Sequence, residues 1–304
     1  MKPTVLCKRG YSKQKKDAIF SLLLLLPALL TCGLVLIYPL CKSLYMSLFQ
    51  ISLIRPGEDE FIGFGNYVNL VRTPNFWASL WITLVITVCV VLGALLLGLL
   101  FALLLNRSFK GRPVMRSLIV IPWAIPPVAA VLAWIWMFDS QFGILNYILR
   151  AVGIFHENVQ WLANTKMAPI SVIIVQIWKQ IPICAVTLLA GLQTVSGELY
   201  EAASIDGANN FKKFIHVTLP GLKTSAGILV LLVTIWTFRQ FTVIYLMTEG
   251  GPARATETLV IQIYREAFQY FNMGYAAAYG TVTFIISLVF GAIYFITMRE
   301  RGTK

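Results

Sequence analysis

The chain has 304 residues, of which 58% are hydrophobic and only 12% are charged, and its formal net charge is +12. Soluble domains carry roughly 25% charged residues, so this composition excludes an ordinary soluble domain and indicates a membrane protein with several spans. The positive charge is then typical of basic cytoplasmic loops and needs no nucleic acid partner.

Six apolar segments are predicted to cross the membrane as helices. The first follows a basic N-terminus, residues 1–17, and its 24 residues exceed the apolar core of a signal peptide, which has about 7–15. Pro122, Pro126 and Pro127 are expected to bend the third span, and Pro182 is expected to break the fourth. A short interfacial helix is predicted near residues 144–152. The predicted spans are 18–41, 76–105, 117–138, 168–192, 222–247 and 276–298, followed by a tail, 299–304.

The distribution of Lys and Arg predicts the orientation of the chain. Sixteen of them lie in the N-terminus, residues 106–116, residues 194–224 and the tail, and seven lie in the connecting segments on the other side. Cytoplasmic loops are enriched in Lys and Arg. Both termini and the segment 194–221 are therefore predicted to face the cytoplasm.

Charged residues are nearly absent from the predicted spans, which contain none of the 13 Asp and Glu residues. Ion-coupled secondary transporters generally need a carboxylate or an unwound ion cage inside the membrane, so such a transporter is the weaker alternative. A membrane-embedded enzyme is a further alternative, but no HExxH or GxxxxGK[ST] motif occurs, and we predict no catalytic residue and no metal site.

Two cations do lie within predicted spans, Lys179 and Arg239. Ionisable groups at this depth face a cavity or a partner because their burial in lipid is costly. Each is either a structural residue bonded to backbone carbonyls that Pro182 frees, or a contact of a translocation path. The sequence leaves both interpretations open.

The longest polar break in the second half of the chain is residues 198–220, which we predict to form two short helices. Ser196 is predicted to cap the first helix and Asp206 the second, with a turn at Gly207. Phe211, Phe214 and Ile215 share one face of the second helix. Such a hairpin either rests on lipid headgroups or docks against a partner.

The same stretch resembles the EAA loop of ABC-importer permeases, through Glu201-Ala202-Ala203-x-x-Asp206-Gly207-Ala208 and the later Phe214 and Leu219-Pro220. Thr224 departs from the pattern, because many relatives have proline there. The resemblance implies an all-α, six-span type I ABC importer permease fold with cytoplasmic termini, in the bacterial inner membrane. Segments that resemble the carbohydrate-uptake branch, of the maltose and glycerol-phosphate type, are Gly65-Asn66-Tyr67, Leu189 to Gln193, Thr248 to Pro252 and Gly274 to Ala278.

The resemblance also implies a function and partners. The chain would be a permease subunit of an ATP-driven, binding-protein-dependent sugar importer. It would work with a second permease, a dimer of cytoplasmic ATPases that use ATP and Mg, and an extracytoplasmic sugar-binding protein. It would bind no cofactor itself. The residues implied to couple it to the ATPase are Glu201, Ala202, Ala203, Asp206, Gly207, Ala208, Phe214, Leu219 and Pro220.

A substrate path follows from the same resemblance, with contacts on spans four and five. Its two cations suggest an anionic sugar, such as a uronic-acid oligosaccharide or a sugar phosphate, because Arg pairs with such groups. The sugar contacts could instead lie on the partner permease. The implied path residues are Gln176, Trp178, Lys179, Gln180, Ile183, Thr237, Phe238, Arg239, Gln240 and Thr242.

Overall fold

The polypeptide folds mainly into helices, with one short β-hairpin. The computed structural model describes residues 9–302, with side chains described at residues 20, 21 and 23–296. Residues 1–8 of the predicted N-terminal segment lie outside the described residues.

The first helix is longer than the predicted 18–41. It consists of α1 (Arg9–Cys32), one π-helical turn (Gly33–Ile37) and α2 (Tyr38–Met46). The described side chains of α1 and α2 are exposed or half-buried, so this helix contributes little to the core.

A small polar segment follows the first helix. Two strands, β1 (Phe49–Gln50) and β2 (Glu60–Phe61), pair antiparallel and lead into α3 (Gly65–Arg72). The buried amide of Asn66 donates hydrogen bonds to the carbonyls of Ser47 and Phe49, each at 2.9 Å. The Gly65-Asn66-Tyr67 motif therefore fastens α3 to the end of the first helix.

The next apolar segment is one long helix, and the one after it is sharply bent. Helix α4 (Pro74–Asn106) is unbroken, but residues 117–138 form two helices, α5 (Arg112–Ala124) and α6 (Pro127–Met137), at 95° to each other. Pro126 has no amide hydrogen to donate to the carbonyl four residues earlier, and the residue before a proline avoids helical angles. The predicted bend in the third segment is therefore present, and the segment is a broken span or a re-entrant pair.

The predicted interfacial helix is present as α7 (Ile144–Ala151). Asn146, 2% exposed, anchors it by donating to the carbonyl of Val159 at 3.0 Å and accepting from Nε1 of Trp161 at 3.0 Å. The following helix, α8 (Met167–Gln193), contains Pro182 without interruption, so the predicted break there is wrong.

Helices α4 and α8 form the centre of the fold. They pack together closely because α4 presents small residues every fourth position, at Ala94, Gly98 and Ala102, all of them buried. A Cβ on Gly98 would lie 2.4 Å from the Cβ of Cys184 on α8. Larger side chains at this position would force the two central helices apart.

The second half begins with the polar hairpin. Helix α9 (Gly197–Ile205) is followed by α10 (Asn210–Lys213), a π-helical turn (Phe214–Thr218) and α11 (Leu219–Phe238). The last three form one continuous helical segment of 29 residues. The predicted helical span 222–247 is therefore wrong at its far end, because the helix stops at Phe238 and restarts as α12 (Thr242–Thr248).

The last part contains α13 (Leu259–Tyr264), a π-helical turn (Arg265–Gln269) and α14 (Met273–Gly302). Before α13, Glu257 is 1% exposed and pairs with Arg254 at 2.6 Å and with Arg265 at 2.8 Å. This buried ion-pair network holds the connection between α12 and α14 in one conformation.

Among the described residues, five helices are long and apolar enough to cross a membrane, or six if the bent pair α5–α6 counts as one span. The count is consistent with the six-span expectation. The cytoplasmic placement of the termini stays a prediction.

Candidate coupling hairpin and translocation path

The first arm of the hairpin, α9, is capped as the sequence predicts. The hydroxyl of Ser196 accepts a hydrogen bond from the amide of Glu198 at 3.3 Å. The helix ends in a turn at Gly207, whose φ of +73° favours glycine. The amide of Ala208 donates back to the carbonyl of Ala203 at 2.8 Å, which closes the turn.

The second arm is capped by a residue that the sequence analysis missed. The side-chain oxygen of Asn209 accepts from the amide of Lys212 at 2.9 Å, so Asn209 caps the arm and the cap predicted at Asp206 is wrong. Pro220 does not interrupt this arm. The amide of Leu219 donates to the carbonyl of Phe214, five residues back, and this π-helical turn accommodates the proline.

Two side-chain contacts fasten the arms to each other. The hydroxyls of Tyr200 and Thr218 lie 3.0 Å apart, and Nζ of Lys213 donates to the hydroxyl of Ser204 at 2.6 Å. The second arm continues without interruption into α11, which belongs to a candidate membrane span.

The outer surface of the hairpin is exposed and unpartnered. Glu201 is exposed and forms no ion pair among the described residues. Ile205 and Phe211, which flank the turn, are 88% and 69% exposed. Both were absent from the predicted coupling set, although apolar residues beside a polar turn are a usable signal. A charged residue beside exposed apolar ones is typical of a protein-binding surface.

The predicted coupling residues lie together along this hairpin. Alpha-helix α9 holds Glu201, Ala202 and Ala203, and the turn holds Asp206, Gly207 and Ala208. Phe214 is half-buried in the π-helical turn, and Leu219 and Pro220 open α11.

The predicted path residues of α8 have different surroundings. Gln176 is 3% exposed and its side-chain nitrogen has no hydrogen-bond partner in the described structure. The ring of Trp178 packs against Trp134, with centroids 5.6 Å apart. Ile183 lines a small apolar cavity beside Val120 on α5. Gln180 is half-buried.

Lys179 is bonded to the bend between α5 and α6. Its Nζ donates to the carbonyl of Pro122 at 3.0 Å and to that of Ile125 at 2.6 Å. Of the two interpretations left open, these contacts match the structural one. The carbonyls belong to the bent third segment, however, and are not freed by Pro182.

Replacing Lys179 by methionine is expected to destabilise the assembled protein without changing its sugar preference. Two partly buried carbonyls lose their donor, at a cost of about 1–3 kcal/mol. The measurement is the thermal midpoint of the purified protein together with uptake competition by neutral and anionic sugars. Lys223→Met, at an exposed lysine near the start of α11, is the control and should change neither. A normal midpoint with an altered preference would show that Lys179 contacts the substrate.

The remaining path residues surround the break between α11 and α12. Thr237 and Phe238 are buried, and the hydroxyl of Thr237 has no partner among the described residues. Gln240 and Thr242 are half-buried, whereas Arg239 is exposed. No side-chain hydrogen bond within the described part joins any two of the ten predicted path residues, although the amide of Gln240 donates to the carbonyl of Thr237 at 3.0 Å. Lys179 is hydrogen-bonded to two backbone carbonyls. Of the two cations predicted in the path, Arg239 is therefore the one whose side chain has no hydrogen bond among the described residues.

An aromatic cluster beside this break was not predicted as part of the path. Phe241 stacks on Tyr245 with ring centroids 4.9 Å apart, and Tyr264 contacts both rings at 5.1 and 4.9 Å. Phe268 continues the row, with its ring 5.2 Å from that of Tyr264. The spacing of four residues within each pair was the available signal. Phe241, the first of these rings, follows Arg239 by two residues in the sequence.

The family described as "Binding-protein-dependent transport system inner membrane component" matches residues 94–299, more than half of the chain. The chain belongs to this family.

Relatives of this permease cover nearly its whole length. It is 36% identical to the sulfoquinovosyl glycerol transport system permease protein of Agrobacterium fabrum, over 94% of this chain and 92% of the relative. It is 35% identical to the trehalose/maltose transport system permease protein MalF of Thermococcus litoralis, over 94% and 96%.

A solved structure confirms the fold. A crystal structure of a bacterial ABC transporter involved in the import of the acidic polysaccharide alginate has a chain that matches with a TM-score of 0.80 and 23% identity, over 98% of this permease and 100% of that chain. The expected ABC importer permease fold and inner-membrane family are thus confirmed.

Proposed function

We propose that this chain is a membrane-spanning permease subunit of an ATP-driven, binding-protein-dependent importer of sugars or sugar derivatives. The observation that carries the proposal is the hairpin, which exposes Glu201, Ile205 and Phe211 on one surface suited to a partner and whose second arm continues into α11. The sugar class is supported by relatives named for sulfoquinovosyl glycerol and for trehalose and maltose.

The proposed partners follow from the family of the chain and from the absence of a GxxxxGK[ST] nucleotide-binding motif in its sequence. The chain itself binds no cofactor and hydrolyses no ATP in this proposal. A dimer of cytoplasmic ATPases uses ATP and Mg, one of them receives the hairpin, a second permease completes the path, and an extracytoplasmic protein delivers the sugar. A solved alginate importer of the same fold was crystallised with a periplasmic protein that carries an alginate pentasaccharide.

A secondary transporter is the alternative function. It would need a coupling carboxylate or an unwound ion cage inside the membrane, and none of the candidate spans in the described structure contains Asp or Glu. The exposed hairpin would also have no task in such a protein.

ATP turnover by the reconstituted complex tests the proposal. The chain is purified with its partner permease and ATPases in lipid vesicles, and ATP hydrolysis is measured with and without binding protein and sugar. Stimulation that requires both supports the proposal. ATP hydrolysis that does not change when binding protein and sugar are added would contradict the proposal. The failure of any ATPase to purify with the chain would also contradict it.

We further propose that Arg239 selects an anionic sugar. It is an exposed, unpaired guanidinium beside the aromatic cluster of Phe241 and Tyr245. Arg binds carboxylates and phosphates through paired hydrogen bonds. The names of the relatives include both a sulfo-sugar and neutral disaccharides, so they do not decide the charge of the substrate.

Replacing Arg239 by glutamine is expected to weaken competition by uronate oligosaccharides about tenfold or more, because a hydrogen bond to a charged group contributes ~1.5–3 kcal/mol. Competition by neutral sugars should be unchanged. Arg150→Gln, on α7, is the matched control. Competition by neutral sugars alone in the unmodified protein would refute the anionic substrate.

A further inference from the structure

An open apolar groove lies beside α5, and Trp178, one of the predicted path residues, is part of its lining. It has a volume of about 320 Å³ and is formed by α4, α5, α8 and the loop between α4 and α5. All of its lining residues are apolar, and they include Phe101, Leu104, Phe109, Leu118 and Ile119. Its shape and lining suit a hydrocarbon chain.

Two arginines lie in the first turns of α5, before or beside the residues of this helix that line the groove. Arg112 and Arg116 are four residues apart, and Met115 and Ile119, between and after them, line the groove. The Nε atoms of both arginines and Nη2 of Arg116 are buried yet have no hydrogen-bond partner in the described structure. Neither forms an ion pair there. Two half-buried guanidinium groups one helical turn apart, with buried nitrogens that lack an acceptor, favour an anionic ligand.

The surrounding charge strengthens this preference. Residues 106–116 contain four basic residues and no acidic residue. They lie where the long apolar helix α4 ends, at Asn106, and α5 begins, at Arg112. Basic pockets between membrane helices at such a boundary bind anionic lipid headgroups.

We propose that the groove binds one anionic phospholipid. Its phosphate accepts hydrogen bonds from Arg112 and Arg116, and an acyl chain fills the groove between α4, α5 and α8. Charge complementarity selects the headgroup, and the all-apolar lining excludes a soluble phosphate compound as the occupant. Because Pro122 lines the groove and its carbonyl accepts from Lys179, the lipid braces the bend between α5 and α6.

Photolabelling tests the proposal. The complex that contains this chain is purified and placed in lipid nanodiscs that contain phosphatidylglycerol with a photoreactive acyl chain. After illumination, the labelled peptides are mapped by mass spectrometry. We expect labelling of residues 101–122. Arg112→Gln with Arg116→Gln should reduce it about tenfold, the factor expected when a charge-assisted contact is lost. Inorganic phosphate should not compete.

Controls separate the lipid site from other outcomes. Arg72→Gln with Arg150→Gln removes the same charge elsewhere and should leave labelling unchanged. Leu118→Trp fills the groove, keeps both arginines and should also reduce labelling. Equal labelling by phosphatidylcholine, labelling that survives loss of both arginines, or cross-linking of the groove to the partner permease would each overturn the proposal.

Discussion

Replacing Glu201 by lysine is expected to abolish sugar uptake while the importer still assembles. Glu201 is exposed on α9 and has no ion-pair partner among the described residues of its own chain. In the proposed function, docking of the hairpin on an ATPase would bury this carboxylate against a partner. Loss of one member of such a charged pair costs at least ~2 kcal/mol, so transport should fall about thirtyfold or more.

Uptake and co-purification of the ATPase, measured on the same preparation, check this result. Glu58→Lys is the matched charge reversal, because Glu58 lies on the opposite side of the predicted membrane and its ion pair with Arg55, at 3.9 Å, is largely exposed to solvent. It should transport normally. Normal uptake by the Glu201→Lys protein would show that the hairpin does not couple ATP hydrolysis to transport.

Replacing Gly274 by alanine is expected to be the most disruptive small substitution. A Cβ at this position would lie 2.0 Å from the carbonyl oxygen of Phe49 and 3.0 Å from the amide nitrogen of Ile51. These are backbone atoms, held in place because the amide of Leu53 donates to the carbonyl of Phe271 at 2.9 Å. The segment after the first helix must therefore move away from α14. A cost of about 3 kcal/mol should lower the thermal midpoint by about 5 °C or more.

The control lies on the same helix. A Cβ on Gly280 would meet no atom within 4 Å, and alanine is the better helix former by ~1 kcal/mol. Gly280→Ala should therefore leave the thermal midpoint of the purified protein unchanged or slightly raised. Equal midpoints for the Gly274 and Gly280 variants would contradict the close approach described here.

The long apolar segments of the sequence correctly predicted the helices that run without a break. Helices α4, α8 and α14 are long and predominantly apolar, so their bounds differ from prediction by only a few residues. The hairpin was predictable for a different reason. Ser196 and Gly207 act through local backbone chemistry that does not depend on the rest of the fold.

The breaks in the helices were harder to predict, because they depend on contacts distant in sequence. One proline, Pro182, is tolerated inside α8, whereas Pro126 with Pro127 bends the chain by 95°. Lys179, which donates hydrogen bonds to the carbonyls of Pro122 and Ile125 at this bend, lies 54 residues away from Ile125 in the sequence. The break after Phe238 contains no proline or glycine. There Phe238 packs in the core around Tyr279, and Phe241 stacks in the aromatic cluster.

Measuring which energy source drives uptake tests whether this permease passes the energy of ATP hydrolysis to a sugar path through its hairpin. Vesicles containing the complete complex are supplied with binding protein and sugar, and sugar accumulation is measured with ATP on the hairpin side or with only a proton or sodium gradient. Accumulation that requires hydrolysable ATP, and that Glu201→Lys abolishes, is the predicted result. Accumulation driven by an ion gradient without ATP would contradict the account.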